Sequence, residues 1–418
     1  MRKRHFLFAS VLALLCSSGA LHAQDFKLTS SGYFKNQGVD VMAFDDIYPE
    51  GHQGGVCIIM NGHRVATNGD IRLEATPGQW QPVPKQLDRK LSDNSITATL
   101  CYPDSSRHLT GFNPMIYPDL HLIYTVNVES KGKNIEVTVD LDRPIPQEFI
   151  GKVGFNLEFF PGSLFGKPWI MDGQSGIFPQ QPNSPLMTTQ PNYLHTGNYH
   201  DGKQSLADMD KLIGKGYSPI VADDIISEPY AKGRKFTSRP DDPYNKVTIE
   251  SLSGDLQLFD GRMNHNNGWF VLRSNIKPGV TKGAVKWIIT PNVVADWMYQ
   301  PVIQTSQIGY HPAQDKEAVI EMDIRDNRKE TAQIIRIDAD GEKVVKNVTP
   351  ANWGKFLRYN YLKVDFTDVK EPGLYKIKYD TSVSPIFRID NDVYARGVWQ
   401  PVLEYFLPVQ MCHMRVNE

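Results

Sequence analysis

The sequence predicts an all-β protein made of a large multi-stranded sandwich followed by a smaller one. Three observations predict it. From residue 25 to about residue 390, short runs alternate apolar with polar residues and stop at Gly, Pro, Asn or Asp. The 28 prolines and 32 glycines are spread along the chain rather than clustered, which suits a turn-rich β protein more than a helical one. Only after Ile389 does the apolar spacing change from two to between three and four, the period of a helix.

The length and composition, 418 residues with 40% hydrophobic and 22% charged, allow two or three ordinary cores. A formal net charge of −2 gives no basic field for a nucleic acid, and no charge block suggests a membrane surface.

Taken in order, Met1–His5 is basic, Phe6–Cys16 is apolar, and Ser17–Ala23 is rich in small residues. That reads as a secretory signal peptide, residues 1–23, cut after Ala23. The apolar run is too short to span a bilayer. The residues before Cys16 fit a lipidation signal poorly, so an exported protein, periplasmic or extracellular, is expected rather than a lipoprotein.

Residues 24–300 read as one large β domain. Asp119–Val128 alternates over its whole length, and Asn134–Leu141 alternates again after a Lys-Gly-Lys turn, which makes a hairpin with one buried face. Val153–Phe160, Lys246–Ser251, Asp255–Phe259, Trp269–Arg273 and Ala284–Ile289 continue the series. About 275 residues of this kind are too many for one immunoglobulin domain, so a larger sandwich is expected. No repeat of fixed period and no low-complexity tract interrupts it.

Cys57 and Cys101 lie on expected strands of this domain. Export would allow a disulfide between them, while isolated cysteines inside strands more often serve as small buried hydrophobes.

Between Pro161 and Tyr244 the alternation fades into long loops, which on a β scaffold are common places for function. A sugar needs an aromatic face for its ring and amides or carboxylates for its hydroxyls. Trp169, Tyr193, Tyr199, Asp172 and Gln174 supply those types and are the sugar-contact candidates. The alternative is that such aromatics pin their own loops to the sheet. Asn264–Gly268 and the Asp45, Asp46, Glu50, His52 cluster could hold calcium through oxygens, but their spacing fits solvated turns better. Of Asp223 and Asp224, one is expected to face water.

Residues 301–390 carry a second set of strands: Gln304–Pro312, Lys316–Asp323, Gln333–Asp338, Leu362–Phe366, Pro372–Lys378 and Pro385–Ile389, with a hairpin turn at Asp340-Gly341. Six or seven strands in about 90 residues fit an immunoglobulin-like sandwich. A helix follows, capped at Asp390 or Asn391, with Val393, Tyr394, Val398, Val402, Tyr405, Phe406 and Val409 on one face. Pro401 and Pro408 predict a kink or two short helices. An apolar helix face with nothing downstream to cover it reads as the start of a further domain.

Gln307-Ile-Gly-Tyr310, Asp365-Phe-Thr367, Gly373-Leu-Tyr375, Ser384 with Phe387 and Ile389, and the Tyr405-Phe406 to Cys412 helix, in that order, resemble the amino-terminal immunoglobulin-like domain of glycoside hydrolase family 9 cellulases. The resemblance covers roughly residues 301–415. It implies that residues 391–418 are the first helix of an (α/α)6 catalytic barrel missing from this sequence. The activity implied is inverting endo-β-1,4-glucanase cleavage of a β-glucan, with no cofactor required. Inversion needs a carboxylate base and a carboxylic acid on opposite sides of the sugar. The family's Asp-Ala-Gly-Asp base motif is absent, and Asp338-Ala-Asp-Gly341 is misordered turn chemistry, so no catalytic residue carries over. Cys412 falls where some members place one ligand of a structural zinc, and the remaining ligands would lie outside these residues.

No dinucleotide or phosphate loop, His-Glu-x-x-His, Cys-x-x-Cys or nucleophile elbow occurs. Two expectations remain. One is the non-catalytic front part of a secreted family 9 enzyme, partnered by its barrel. The other is a stand-alone polysaccharide-binding or cell-surface module.

Overall fold

The structure is a computed structural model and describes residues 25–45, 54–74, 76–78, 84–102, 120–182, 186–188, 225–263, 268–395 and 397–412. The signal segment, Tyr193, Tyr199, Asp223, Asp224, and most of the two polar clusters at 45–52 and 264–268 lie outside them. The chain divides into two compact units, Met1–Trp297 and Met298–Glu418.

In the described residues, the first unit holds two nine-stranded antiparallel sheets. In spatial order the first runs Lys27–Leu28, Phe34–Asn36, Val39–Ala43, Val56–Met60, His63–Leu73, Val153–Phe159, Phe270–Asn275, Leu256–Asp260 and Ala231–Gly233. The second runs Gln174–Ile177, Pro168–Met171, Lys235–Ser238, Val247–Ser251, Val285–Pro291, Asn134–Leu141, Ile123–Lys131, Ser95–Cys101 and Lys85–Leu91. The hairpin read from alternation forms as expected, Ile123–Lys131 against Asn134–Leu141, turning at Gly132.

Alternation places the core between the sheets. Ile71, Leu73, Phe155, Leu157, Phe159, Phe270 and Leu272 come from the first sheet, and Tyr124, Val126, Ile135, Val137, Val139 and Trp287 from the second. Trp287 stands edge-on to Phe155 at 5.0 Å and donates its indole N–H to Ser274 Oγ, so its one polar atom is satisfied inside the core. Cys57 is buried on the first sheet, Cys101 half-buried on the second, and no bridge joins them.

The second unit is a smaller sandwich with its own core. One sheet runs Val302–Gln304, Glu317–Asp323, Tyr359–Asp365 and Ala351–Phe356; the other runs Gly341–Val348, Ala332–Asp338 and Gly373–Tyr379, with Ser382–Val383 and Phe387–Ile389 both on the last strand. The residues quoted for the family resemblance do specific work here. Tyr310 packs edge-on against Phe366 and Phe387, and its hydroxyl accepts from Ser306 N and donates to Glu317 O. Gly309 has φ +102°, and a Cβ there would lie 2.3 Å from Arg388 O, so the neighbour of Tyr310 must be glycine. Asp365 Oδ1 takes the Thr367 N–H, Thr367 Oγ1 takes that of Lys316, and Ser384 Oγ accepts from Ile377 N and donates to Pro385 O.

The helix is shorter than its apolar spacing predicts. It runs Gln400–Cys412, while Val393, buried, and Tyr394 sit in turns before it. Pro401 lies in the first turn, where a missing N–H costs no helical hydrogen bond, so it starts the helix instead of breaking it. One helix therefore replaces the expected pair. Val402, Leu403, Tyr405 and Phe406 are all exposed. Among the described residues, no helix is long and apolar enough to cross a membrane.

Candidate functional site

The predicted sugar contacts at Trp169, Asp172 and Gln174 come together, but in a hairpin that fastens itself. Pro168–Met171 pairs with Gln174–Ile177, and the Trp169 ring lies on Gly176, where any Cβ would be 2.4 Å from it. The ring is 6% exposed and has no open face to offer. Asp172 adopts φ +48° at the turn, and its carboxylate accepts from the backbone N–H groups of Arg234 and Lys235. Gln174 Nε2 donates to Lys232 O. Asp172 and Gln174 hold the hairpin to the segment at 232–235, while Trp169 packs within it. Tyr193 and Tyr199 lie outside the described residues. Cys412 is the last helical residue, and among the described residues no group of three or more His, Cys, Asp or Glu could hold a metal.

Two other arrangements have the character of sites. The first lies on the three central strands of the first sheet, His63–Leu73, Val153–Phe159 and Phe270–Asn275. Register puts Asp70, Asn156 and Arg273 in one row, Arg72 beside Gly154, and Glu158 beside Val271, on the face turned away from Ile71, Phe155 and Leu272. The equivalent face of the second sheet is wet. There Glu136 is half-buried and pairs with the partly exposed Lys131 and Lys286. On the first sheet, in contrast, Asp70, Arg72, Glu74, Asn156, Glu158 and Arg273 are all buried.

Burying charge costs several kcal/mol per ion unless partners compensate, so these groups are tied together. The Arg273 guanidinium donates to Asn156 Oδ1 at 3.0 Å and to the carbonyls of Glu74 and Lys152, and stands 3.5 Å from Glu74 Oε1. Asn156 Nδ2 donates to Glu74 Oε1 at 2.6 Å, and Gly78 N to Glu74 Oε2. Asp70 Oδ1 accepts from its neighbour's backbone and from the Tyr124 hydroxyl. Gly154 leaves the space the Arg273 side chain fills, since a Cβ there would come within 2.9 Å of the guanidinium.

Burial pushes the Glu74 carboxyl up to about 7 against the pull of Arg273 and Arg72, and Asp70 up to about 6 against Arg72. Both groups therefore change charge near neutral pH. The His63–Leu73 strand also bulges between its pairings with Asn156 and Glu158, where Asn68 and Gly69 together stand opposite Leu157, one residue too many for regular pairing. Asn68 takes φ +55°, and its Nδ2 donates to Glu158 Oε2 at 2.5 Å. A bulge re-aims a side chain in this way.

The second arrangement is on the smaller sandwich, on the face of the Glu317–Asp323 sheet turned away from Ile320, Met322 and Leu362. Tyr299 and Tyr361 both donate to the Glu321 carboxylate, at 3.0 and 3.5 Å. Tyr359 packs against both tyrosines, and Trp353 stands edge-on to Tyr361 at 5.7 Å. Four rings thus form a row fixed by one carboxylate, and Trp353, 58% exposed, is its open end. Here is an exposed aromatic, of the type sought in the 161–217 loops, at the end of a row anchored by a carboxylate.

Residues 298–384 match the family model described as the cellulase N-terminal ig-like domain. No curated protein matches the chain. Among solved structures it is similar to a metagenome-derived glycoside hydrolase family 9 endoglucanase, with 31% identity over 22% of this chain and 18% of that one, TM-score 0.20. It is also similar to a Bacteroides ovatus GH9 protein, with 25% identity over 22% and 16%, TM-score 0.19. The Slr1438 protein from Synechocystis sp. PCC 6803 aligns with 64% of this chain and 94% of its own at 10% identity, TM-score 0.31. The chain thus spans less than a fifth of the two family 9 structures.

Proposed function

We propose that this chain is the amino-terminal, non-catalytic part of a secreted family 9 glycoside hydrolase that degrades β-1,4-glucan, its sandwiches positioning a separate catalytic barrel. The match of residues 298–384 to the cellulase N-terminal ig-like domain carries this reading. The exposed Val402, Leu403, Tyr405 and Phe406 of the helix supply an apolar face suited to packing against such a barrel. In the full enzyme, single-displacement inversion would need an acid and a base about 6.5 to 9.5 Å apart, both supplied by the barrel. Neither a cofactor nor a catalytic metal enters; a structural zinc using Cys412, or a calcium, belongs to the full-length protein.

The Trp353 row favours one addition, that the chain also meets polysaccharide directly. A pyranose face is apolar and stacks on an indole, which Trp353 offers at the exposed end of the row. The test is affinity electrophoresis of the purified chain through gels containing hydroxyethylcellulose. Retardation is expected, and Trp353→Ala should abolish it. Migration that ignores the glucan would remove direct contact from the reading, and cleavage of the glucan by the chain would overturn the non-catalytic role.

A further inference from the structure

The strand Ala351–Phe356 is the edge of its sheet, and its register puts a second ring on the open face beside Trp353. Gly354 pairs with Tyr361 and Phe356 with Tyr359, and residues directly opposite in an antiparallel pair share a face. Phe356 therefore stands on the side of the aromatic row, and at 57% it is as exposed as Trp353. Lys355 pairs with the buried Asn360 and belongs to the other side. Between the two rings this face carries only Gly354, where an added Cβ would meet nothing within 4 Å.

An edge strand with exposed rings can recruit another strand. This edge is ill suited to that, because its register shifts between Asn352 and Gly354 and Gly354 takes φ +123°, so the backbone bends where a pairing strand needs it regular. A ligand that uses the rings and not the ladder fits better. Trp353 and Phe356 are separated by three steps of extended strand, roughly 10 Å. In an extended β-1,4-glucan, alternate sugars are related by translation, present the same apolar face and recur at about that spacing. The sugar between them would pass over Gly354, where no side chain stands in its way.

We propose that Trp353 and Phe356 form a two-ring platform that reads an extended β-1,4-linked chain over three consecutive sugars, the outer two on the rings and the middle one over Gly354. The platform rests on the glucan contact proposed for Trp353 and adds Phe356 as the residue that sets the shortest chain and the linkage recognised.

The test is a ligand-observed NMR titration of the full chain with cellobiose and cellotriose, set against laminaribiose and laminaritriose, whose β-1,3 links curve the chain. Cellobiose reaches one ring and cellotriose both, so affinity should rise at least about fivefold between them, with no such step in the β-1,3 pair. Phe356→Ala should remove the step and leave cellobiose binding in place, with the fold intact by circular dichroism. Trp353→Ala should remove the step as well. A step that survives Phe356→Ala, or one of equal size in the β-1,3 pair, overturns the platform and leaves the contact at Trp353 standing. If neither cello-oligosaccharide binds and the chain also ignores a glucan gel, both fall together. If Phe356→Ala alters sedimentation and not sugar binding, the ring serves self-association and the platform is overturned.

Discussion

Glu74 is the residue at which burial and charge compete most openly. Its carboxyl keeps a proton up to about pH 7 in the folded chain and only to about pH 4.5 when unfolded, because burial outweighs Arg273 and Arg72, with Glu158 adding negative charge. Between those values folding takes up a proton, so the stability Glu74 contributes is complete below about pH 4.5 and is lost as pH rises through 7. The shift corresponds to something on the order of 3 kcal/mol. Glu74→Gln, neutral at every pH, should therefore gain on wild type as pH rises from 5 to 8 in urea denaturation. An unchanged difference between the two proteins would mean that Glu74 is ionised throughout. Gly309 makes a second residue-scale prediction. Gly309→Ala meets Arg388 O and an unfavourable φ together, and should cost about 2 kcal/mol or more of stability. A loss under about 0.5 kcal/mol would show that the turn relaxes.

The charged strand shows how far single residues were legible. Asp70-Ile-Arg-Leu-Glu74 alternates as a strand should, and Ile71 and Leu73 do face the core. Nothing in the pattern says that the charged side is covered, because a charge facing water and a charge facing other charges look alike in sequence. The partners that settle it, Asn156 and Arg273, come from strands far along the chain.

Among elements, long alternating strands and the hairpin at Gly132 were legible, and the bulged strand Ala351–Phe356 was not. Ala351–Phe356 hides its alternation because the register shifts between Asn352 and Gly354, and so Trp353 was missed as a surface aromatic. The loops at 161–217 drew attention by composition, yet Trp169, Asp172 and Gln174 close a hairpin there. At this scale the Trp353 side chain should matter for glucan and little for folding. Trp353→Ala should change stability by less than about 1 kcal/mol, since over half of the side chain is already in water. A larger loss in denaturation would make the aromatic row structural.

For the whole molecule, the division into a large and a small sandwich was legible from strand counts and chain length, and each unit closes its own core. The helix adds an apolar face to the second unit, and exposed patches of that kind associate. Sedimentation velocity of the 418-residue chain should show concentration-dependent association that Phe406→Lys with Val402→Lys relieves. Association unaffected by the pair would place the contact elsewhere. The central claim, that these sandwiches serve glucan degradation without cutting the chain themselves, is tested most directly by counting reducing ends released from soluble β-1,4-glucan by the purified protein. The account predicts no release above blank from protein that is retarded in a glucan gel. Reducing ends that accumulate with time and disappear in Glu158→Gln would contradict it.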